Sequence, residues 1–324
     1  MSMSEMIQAI KMESPKTIPV SIGVLPAVWM KYGTEFQKLI DQYPQFFGGQ
    51  QTDVTQVEYN LPTRYKAGKF TDNWGCVWEN VYSGNDAIVT GHPIQDEDDV
   101  FALKIPDDRS GRDIPHGFMY LRLLDLCGFE NAMVMFAEEG EAIDTLIDKV
   151  LEYNMYQFAA IIPRLGEMAV FGDDLGMQKG LALGPERWRK YMKPCFRKLY
   201  GMLKAAKPDV LIYMHTDGCI HEIMPDLHEC GVDIINPQYR ANGIENLVRV
   251  CRKEQILTID LDLDRQLFPF ATRSQIFDHV AEAVESLYMP QGGLCLKVEL
   301  NHELTLDQMA NVLDALEKYR HYKG

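Results

Sequence analysis

The sequence predicts a parallel (β/α)8 barrel, and three observations carry that expectation. From about residue 130 to the end, short apolar runs alternate with segments of helical periodicity, the pattern of a parallel sheet covered by helices. About eight strands can be counted, and no GxGxxG fingerprint follows the first one, which argues for a barrel over a dinucleotide-binding sheet. Polar residues gather just where strands end: Asp173 and Asp174, His215 and Asp217, Asn236 and Gln238, Asp260 and Asp262, and Glu299. In a barrel those ends meet on one face, where the chemistry sits.

The elements follow in order. Thr17 to Leu25 reads as a Val/Ile-rich strand closed by Pro26, and residues 34–47 as helical. Residues 50–115 are weakly patterned, rich in aromatics, Gly and Asp. They read as a β-rich excursion within a single domain spanning 1–324: first strand and excursion over 17–115, regular β/α part over 116–324. Helix is expected over 117–127, strand over Asn131 to Phe136, helix over 141–155 and strand over Met168 to Gly172. Pro185 opens a long helix. Strands are expected at Val210 to Met214, Val232 to Asn236, Ile256 to Leu261 and Leu294 to Leu300. The helices between them lie near 219–229, 244–253 and 274–288. Thr305 and Gln308 form a capping box before the last helix.

Composition removes several function classes. The formal charge of −15 with no dense Lys/Arg run argues against nucleic acid as a partner and against a polyanionic substrate. Seven cysteines without a CxxC suggest reduced thiols in a cytoplasmic protein. No apolar run of about 18 residues predicts a membrane span. The basic helix after Pro185 reads as a solvated face.

The stretch LIYMHTDGCIHEIMPDLHECGVDIINPQ (211–238) is the richest in chemistry. His215 and Asp217 stand two apart, so an extended backbone turns both to one face, where imidazole and carboxylate can bind a metal or handle a proton. Capping of a helix near Cys219 is the alternative for Asp217. Asp173 and Asp174 offer paired carboxylates for acid/base work, or one of them binds loop amides. Trp74, Trp78 and Met30 can line an apolar pocket or pack the excursion. Arg265 can grip a substrate carboxylate or pair with Asp262 or Asp264.

Several separated blocks resemble the uroporphyrinogen decarboxylase superfamily, nearest its corrinoid-dependent methyltransferase branch. They are IPVSIGVLPAVWMKYG (18–33), TDNWGCVWEN (71–80), FGDDLGMQKG (171–180), HTDGCIHEIMPDLHECGVDIINPQ (215–238), DLDRQLFPFAT (262–272) and GGLCLKVEL (292–300). The resemblance implies a (β/α)8 barrel and a zinc site built from a His-x-Cys pair and a second Cys. Here His215 and Asp217 occupy the pair and Glu299 stands at the second position, so the implied metal ligands are His215, Asp217 and Glu299. Oxygen ligands weaken the preference for zinc. Cys219 and Cys295 read as core thiols. The Arg-rich segment that tetrapyrrole decarboxylases use is reduced here to Lys31.

The expected function is therefore methyl transfer between a small molecule, such as a methoxylated aromatic, and a corrinoid supplied by a partner protein. A metal would act as Lewis acid. Asp173, Asp174 and His215 are the expected catalytic residues. Met30, Trp74, Asn236, Gln238, Asp260, Asp262 and Arg265 are the expected substrate-binding residues. A homo-oligomer is allowed. The alternatives are a metal-independent decarboxylase or lyase acting on a small acid, and a barrel that binds ligand without turnover.

Overall fold

The computed structural model describes residues 3–324. Nine strands follow one another among the described residues: β1 (Val20–Val24), β2 (Gly68–Thr71), β3 (Val77–Asn80), β4 (Ile88–Gly91), β5 (Met168–Gly172), β6 (Leu211–Thr216), β7 (Ile234–Pro237), β8 (Thr258–Asp262) and β9 (Leu294–Leu300). Helices separate the later ones, which makes the fold α/β of the barrel type. Strands β2, β3 and β4 form the small antiparallel sheet of the expected excursion, with β3 in the middle.

The chain packs as two compact units. The first comprises the chain up to Gly68, Glu79–Ile88 and Gln238–Gly324, and the second comprises Lys69–Trp78 and Val89–Pro237. In the first unit β9 lies between β1 and β8, parallel to both. In the second unit β6 lies between β5 and β7, again parallel to both. The described residues thus hold six parallel strands rather than about eight.

Asn131 to Phe136 accounts for part of that difference, because it is helix, within Phe129–Glu138. The apolar run looks like a strand. Its buried residues, however, are Ala132, Met135 and Phe136, spaced three and four apart, while Val134 is exposed. Gly128, at φ 77°, starts the helix where a side chain would be strained.

Strand alternation decides which residues reach the site. In the second unit Phe171 points to the helical layer, packing on Phe158 and Tyr200 from two long helices, Glu141–Ile161 and Gly184–Ala206. Gly172, His215 and Asn236 therefore share the opposite face, in register across the three strands. In the first unit Leu296, Val298 and Leu300 are buried on one face, which leaves Cys295, Lys297 and Glu299 on the other. The expected capping box of Thr305 with Gln308 is present, and the structure adds a second at Thr272 with Gln275. The basic face of the long helix is solvated and ion-paired, with Lys190 on Glu139, Lys193 on Asp226 and Lys204 on Asp233. All seven cysteines are unpaired and buried, including Cys219 and Cys295. No helix among the described residues is long and apolar enough to cross a membrane.

Candidate functional site

The second unit gathers its titratable side chains at the C-terminal ends of β5 and β6. The registers place Gly172 beside His215 and His215 beside Asn236, so the segments that follow emerge together. After β5 the chain reads Asp173-Asp174, and after β6 Thr216-Asp217. Two glycines let the two loops cross. Gly218 sits at φ +85°, and a Cβ there would run into the backbone of Gly176. The loops are laced by amides: Gly176 N–H to Asp217 O at 3.1 Å, Cys219 N–H to Met177 O at 2.7 Å, and Leu175 N–H to Thr216 Oγ1 at 3.0 Å.

The two neighbouring aspartates have separate tasks. Asp173 is fully buried and accepts the backbone N–H groups of Met119, Tyr120 and Leu121 at 3.1, 2.6 and 2.9 Å. It therefore satisfies the open amides at the start of helix Tyr120–Cys127. Burial pushes its carboxyl up to about 7, while those amides pull it back. Of the two readings of the Asp pair, backbone binding is what Asp173 does. Asp174 faces the other way. Its Oδ2 lies 3.0 Å from His116 Nε2, and its Oδ1 accepts the Asp217 N–H at 2.8 Å and lies 3.8 Å from His215 Nε2.

His116, Asp174 and His215 can each offer one ligand atom to a common point, with those atoms within 4.8 Å of one another. The imidazoles of His116 and His215 are 5.3 Å apart by ring centroid. Gly172 makes this approach possible, since a Cβ at that position would collide with His116 Nδ1. Asp217 Oδ1 lies 3.4 Å from His215 Nε2 but is not one of the three groups that converge. It caps no helix, because the next helix begins only at Met224, preceded by Ile223 with no side-chain cap.

His116 is absent from the residues expected from sequence. Its neighbours Pro115 and Gly117 close an irregular segment with no strand or helix period to mark it. His215 is further held by its other nitrogen, Nδ1 lying 2.5 Å from Oδ1 of the buried Asn236.

In the first unit, Glu299 pairs with Arg265 at 2.9 Å. Asp264, one of the two expected partners of Arg265, has other partners: it accepts the N–H groups of Gln266 and Leu267 and an ion pair from Arg240. Asp260 and Asp262 are buried on β8 on the same face as Cys295 and Lys297 of β9, and Ser21 donates to Asp260 at 3.2 Å. Gln238 bridges to Asp262 along the strands and accepts the Asn242 side-chain amide through its carbonyl. Met30 is partly exposed, beside the tight turn at Gly84. In the second unit Trp74 is buried edge-on against Tyr153 at 5.1 Å, and Trp78 donates to Asp72 at 3.0 Å. Both tryptophans pack the excursion.

Comparisons with known proteins agree with this layout. The chain is similar to a methyltransferase from Methanosarcina mazei, with a TM-score of 0.63, 15% identity and 97% of each chain covered. At that identity the likeness is one of fold. No curated protein matches the chain. The family model for uroporphyrinogen decarboxylase (URO-D) matches residues 123–319, more than half of the chain. The chain belongs to the uroporphyrinogen decarboxylase family.

Proposed function

We propose that this protein is a methyltransferase that moves a methyl group between a small molecule and a corrinoid held by a partner protein. A divalent metal, with zinc as first choice, would sit on His116, Asp174 and His215. The convergence of those three ligand atoms within 4.8 Å of one another is the observation that carries the reading. Two imidazoles and one carboxylate suit a borderline divalent ion and leave a position open for substrate. When bound, such an ion supplies Lewis acidity toward a methyl-bearing oxygen or sulfur.

The chain's own residues supply the rest. Asp174 is held by the Asp217 amide and the His116 ring, so its orientation is set before substrate arrives. Asp217 stands ready as a further ligand or as a proton acceptor beside His215. Gln238, Asp260, Asp262 and Arg265 offer polar contacts to the small molecule, and Met30 an apolar one. A methoxylated aromatic fits a metal held by nitrogen and oxygen donors, and its O-demethylation is the reaction we favour. Seven unpaired thiols suit a reducing compartment such as the cytoplasm.

Metal analysis tests the ligand set, and transfer to a corrinoid protein tests the reaction. The parent should carry about one equivalent of metal, lost in His116→Ala, Asp174→Ala and His215→Ala. Retention in Glu299→Ala would support this triad, whereas loss there would make Glu299 a ligand. A parent that binds no metal after incubation with zinc would overturn the metal and favour proton transfer by His116 and Asp174. No change in the cobalt spectrum with ethers, amines or thiols would overturn methyl transfer.

A further inference from the structure

We infer that Asn236 selects the tautomer of His215, and that this choice makes the cluster a receptor for a metal rather than a hydrogen-bonded pair. The inference rests on the metal reading above and assigns Asn236 a task other than touching substrate.

Asn236 is fully buried on β7, in register beside His215 on β6. Its Oδ1 lies 2.5 Å from His215 Nδ1. An amide oxygen only accepts, so a neutral His215 carries its proton on Nδ1. The lone pair on Nε2 then points toward two acceptors, Asp217 Oδ1 at 3.4 Å and Asp174 Oδ1 at 3.8 Å. A lone pair facing two carboxylate oxygens is repulsive until a cation enters. With the proton on Nε2, the same ring would donate toward Asp217 and keep no lone pair on that side for a metal. A free histidine side chain favours the Nε2–H form, so the contact to Asn236 must reverse that preference. A buried partner that fixes the protonated nitrogen is how metal-binding histidines are commonly oriented. Asn236 is therefore a positioning residue, acting through His215.

The test reads the tautomer directly. Protein labelled with 15N-histidine is stripped of metal, and two-bond nitrogen–carbon-proton correlations are recorded at about pH 8, where imidazole is neutral. His215→Ala identifies the signal. Nδ1–H is expected in the parent and in Asn236→Asp, which keeps an acceptor oxygen. Nε2–H is expected in Asn236→Leu, with zinc affinity lowered about 10- to 100-fold. An Nε2–H His215 in the metal-free parent overturns the inference without any variant, even if Asn236→Leu does not fold. An unchanged tautomer in Asn236→Leu overturns it as well. Zinc binding by the parent is scored separately and decides the metal reading alone.

Discussion

The site-bearing strand faces of the two units are built on opposite principles. In the second unit, β5, β6 and β7 present Val170, Tyr213 and Ile234 below the site, and polar groups begin only at the tip with His215 and Asn236. In the first unit the corresponding face is charged well down the strands: Asp260 and Asp262 on β8, Lys297 and Glu299 on β9, with Ser21 on β1. Parallel strands buried on both sides normally read as continuous apolar runs. The second unit keeps the positions below the tip apolar, with Tyr213 and Ile234 buried and Val170 exposed. The first unit breaks that rule over several residues. Buried charges are costly unless paired, and partners account for part of this face: Ser21 donates to Asp260, and Arg265 pairs with Glu299. The second unit thus gathers its three candidate metal ligands at one tip, and the first spreads its charges along two strands.

The largest effect should come from the tip of the second unit. His215→Ala or His116→Ala should lower methyl transfer by roughly a thousandfold or more, as loss of a first ligand removes the Lewis acid. Thermal unfolding should stay near the parent, because both rings are partly exposed. Transfer rates within tenfold of the parent would show that the cluster is not where the chemistry occurs.

Beneath the tip the expectation reverses. Ile234 is fully buried on the face below His215, and Ile234→Ala should cost about 3 to 4 kcal/mol of stability. Metal content at 20 °C should be kept (a temperature of about that value, well below unfolding). Urea unfolding measures the first and metal analysis the second. A small stability loss with a large loss of metal would mean that this face is part of the site and the contrast between units fails.

The charged face of the first unit relies on a fastened loop, and that fastening is sensitive to acid. His279 is buried, and its Nε2 accepts the Asp264 N–H at 3.1 Å, next to the Arg265 that pairs with Glu299. Burial lowers its pKa from 6.5 to about 4, against the carboxylates of Asp264 and Glu282. The folded value lies below the unfolded one. Its contribution is therefore fully present above pH 6.5 and is lost as pH falls through about 4. The loss amounts to about 3 kcal/mol. His279→Gln, which keeps an acceptor for Asp264, should flatten that part of the stability–pH curve. An unchanged slope would place the acid sensitivity elsewhere.

How much of this was legible in the sequence follows from how local each signal is. Strand β6 and its His215-Thr216-Asp217 tip announce themselves through a short apolar run and a spacing of two. The Thr305–Gln308 capping box is equally local, and both are found as expected. The run at Asn131 to Phe136 misleads because six residues do not distinguish a strand from one buried helix stripe. His116 reaches Asp174 through a long loop closure, and no periodicity encodes that. The glycine at 172, whose missing side chain admits the ring, was a signal only once the contact was known. Sequence adjacency offers Arg265 only its neighbouring aspartates. Asp264 is occupied by loop amides and Arg240, and the guanidinium reaches Glu299 on a separate strand, a pairing that no local spacing announces.

Arg265 also gives the smallest and most discriminating stability change. Its pair with Glu299 is about two-thirds desolvated on each side, the side chains being 29% and 28% exposed. Pairs that keep contact with water contribute about 0 to 1 kcal/mol, so Arg265→Ala should alter unfolding by less than about 1 kcal/mol. If the charged face recognises substrate, the same change should raise KM about tenfold while kcat is nearly kept, since binding shared by ground state and transition state is what has been removed. Glu299→Gln provides the complement. It leaves the guanidinium in place and removes the Glu299 charge, so a substrate carboxylate should then bind at least as well as in the parent. A drop of several kcal/mol in stability for Arg265→Ala, with KM unmoved, would make the pair a strut. The first unit's charges would then belong to its architecture, and the substrate would have to be recognised by other groups.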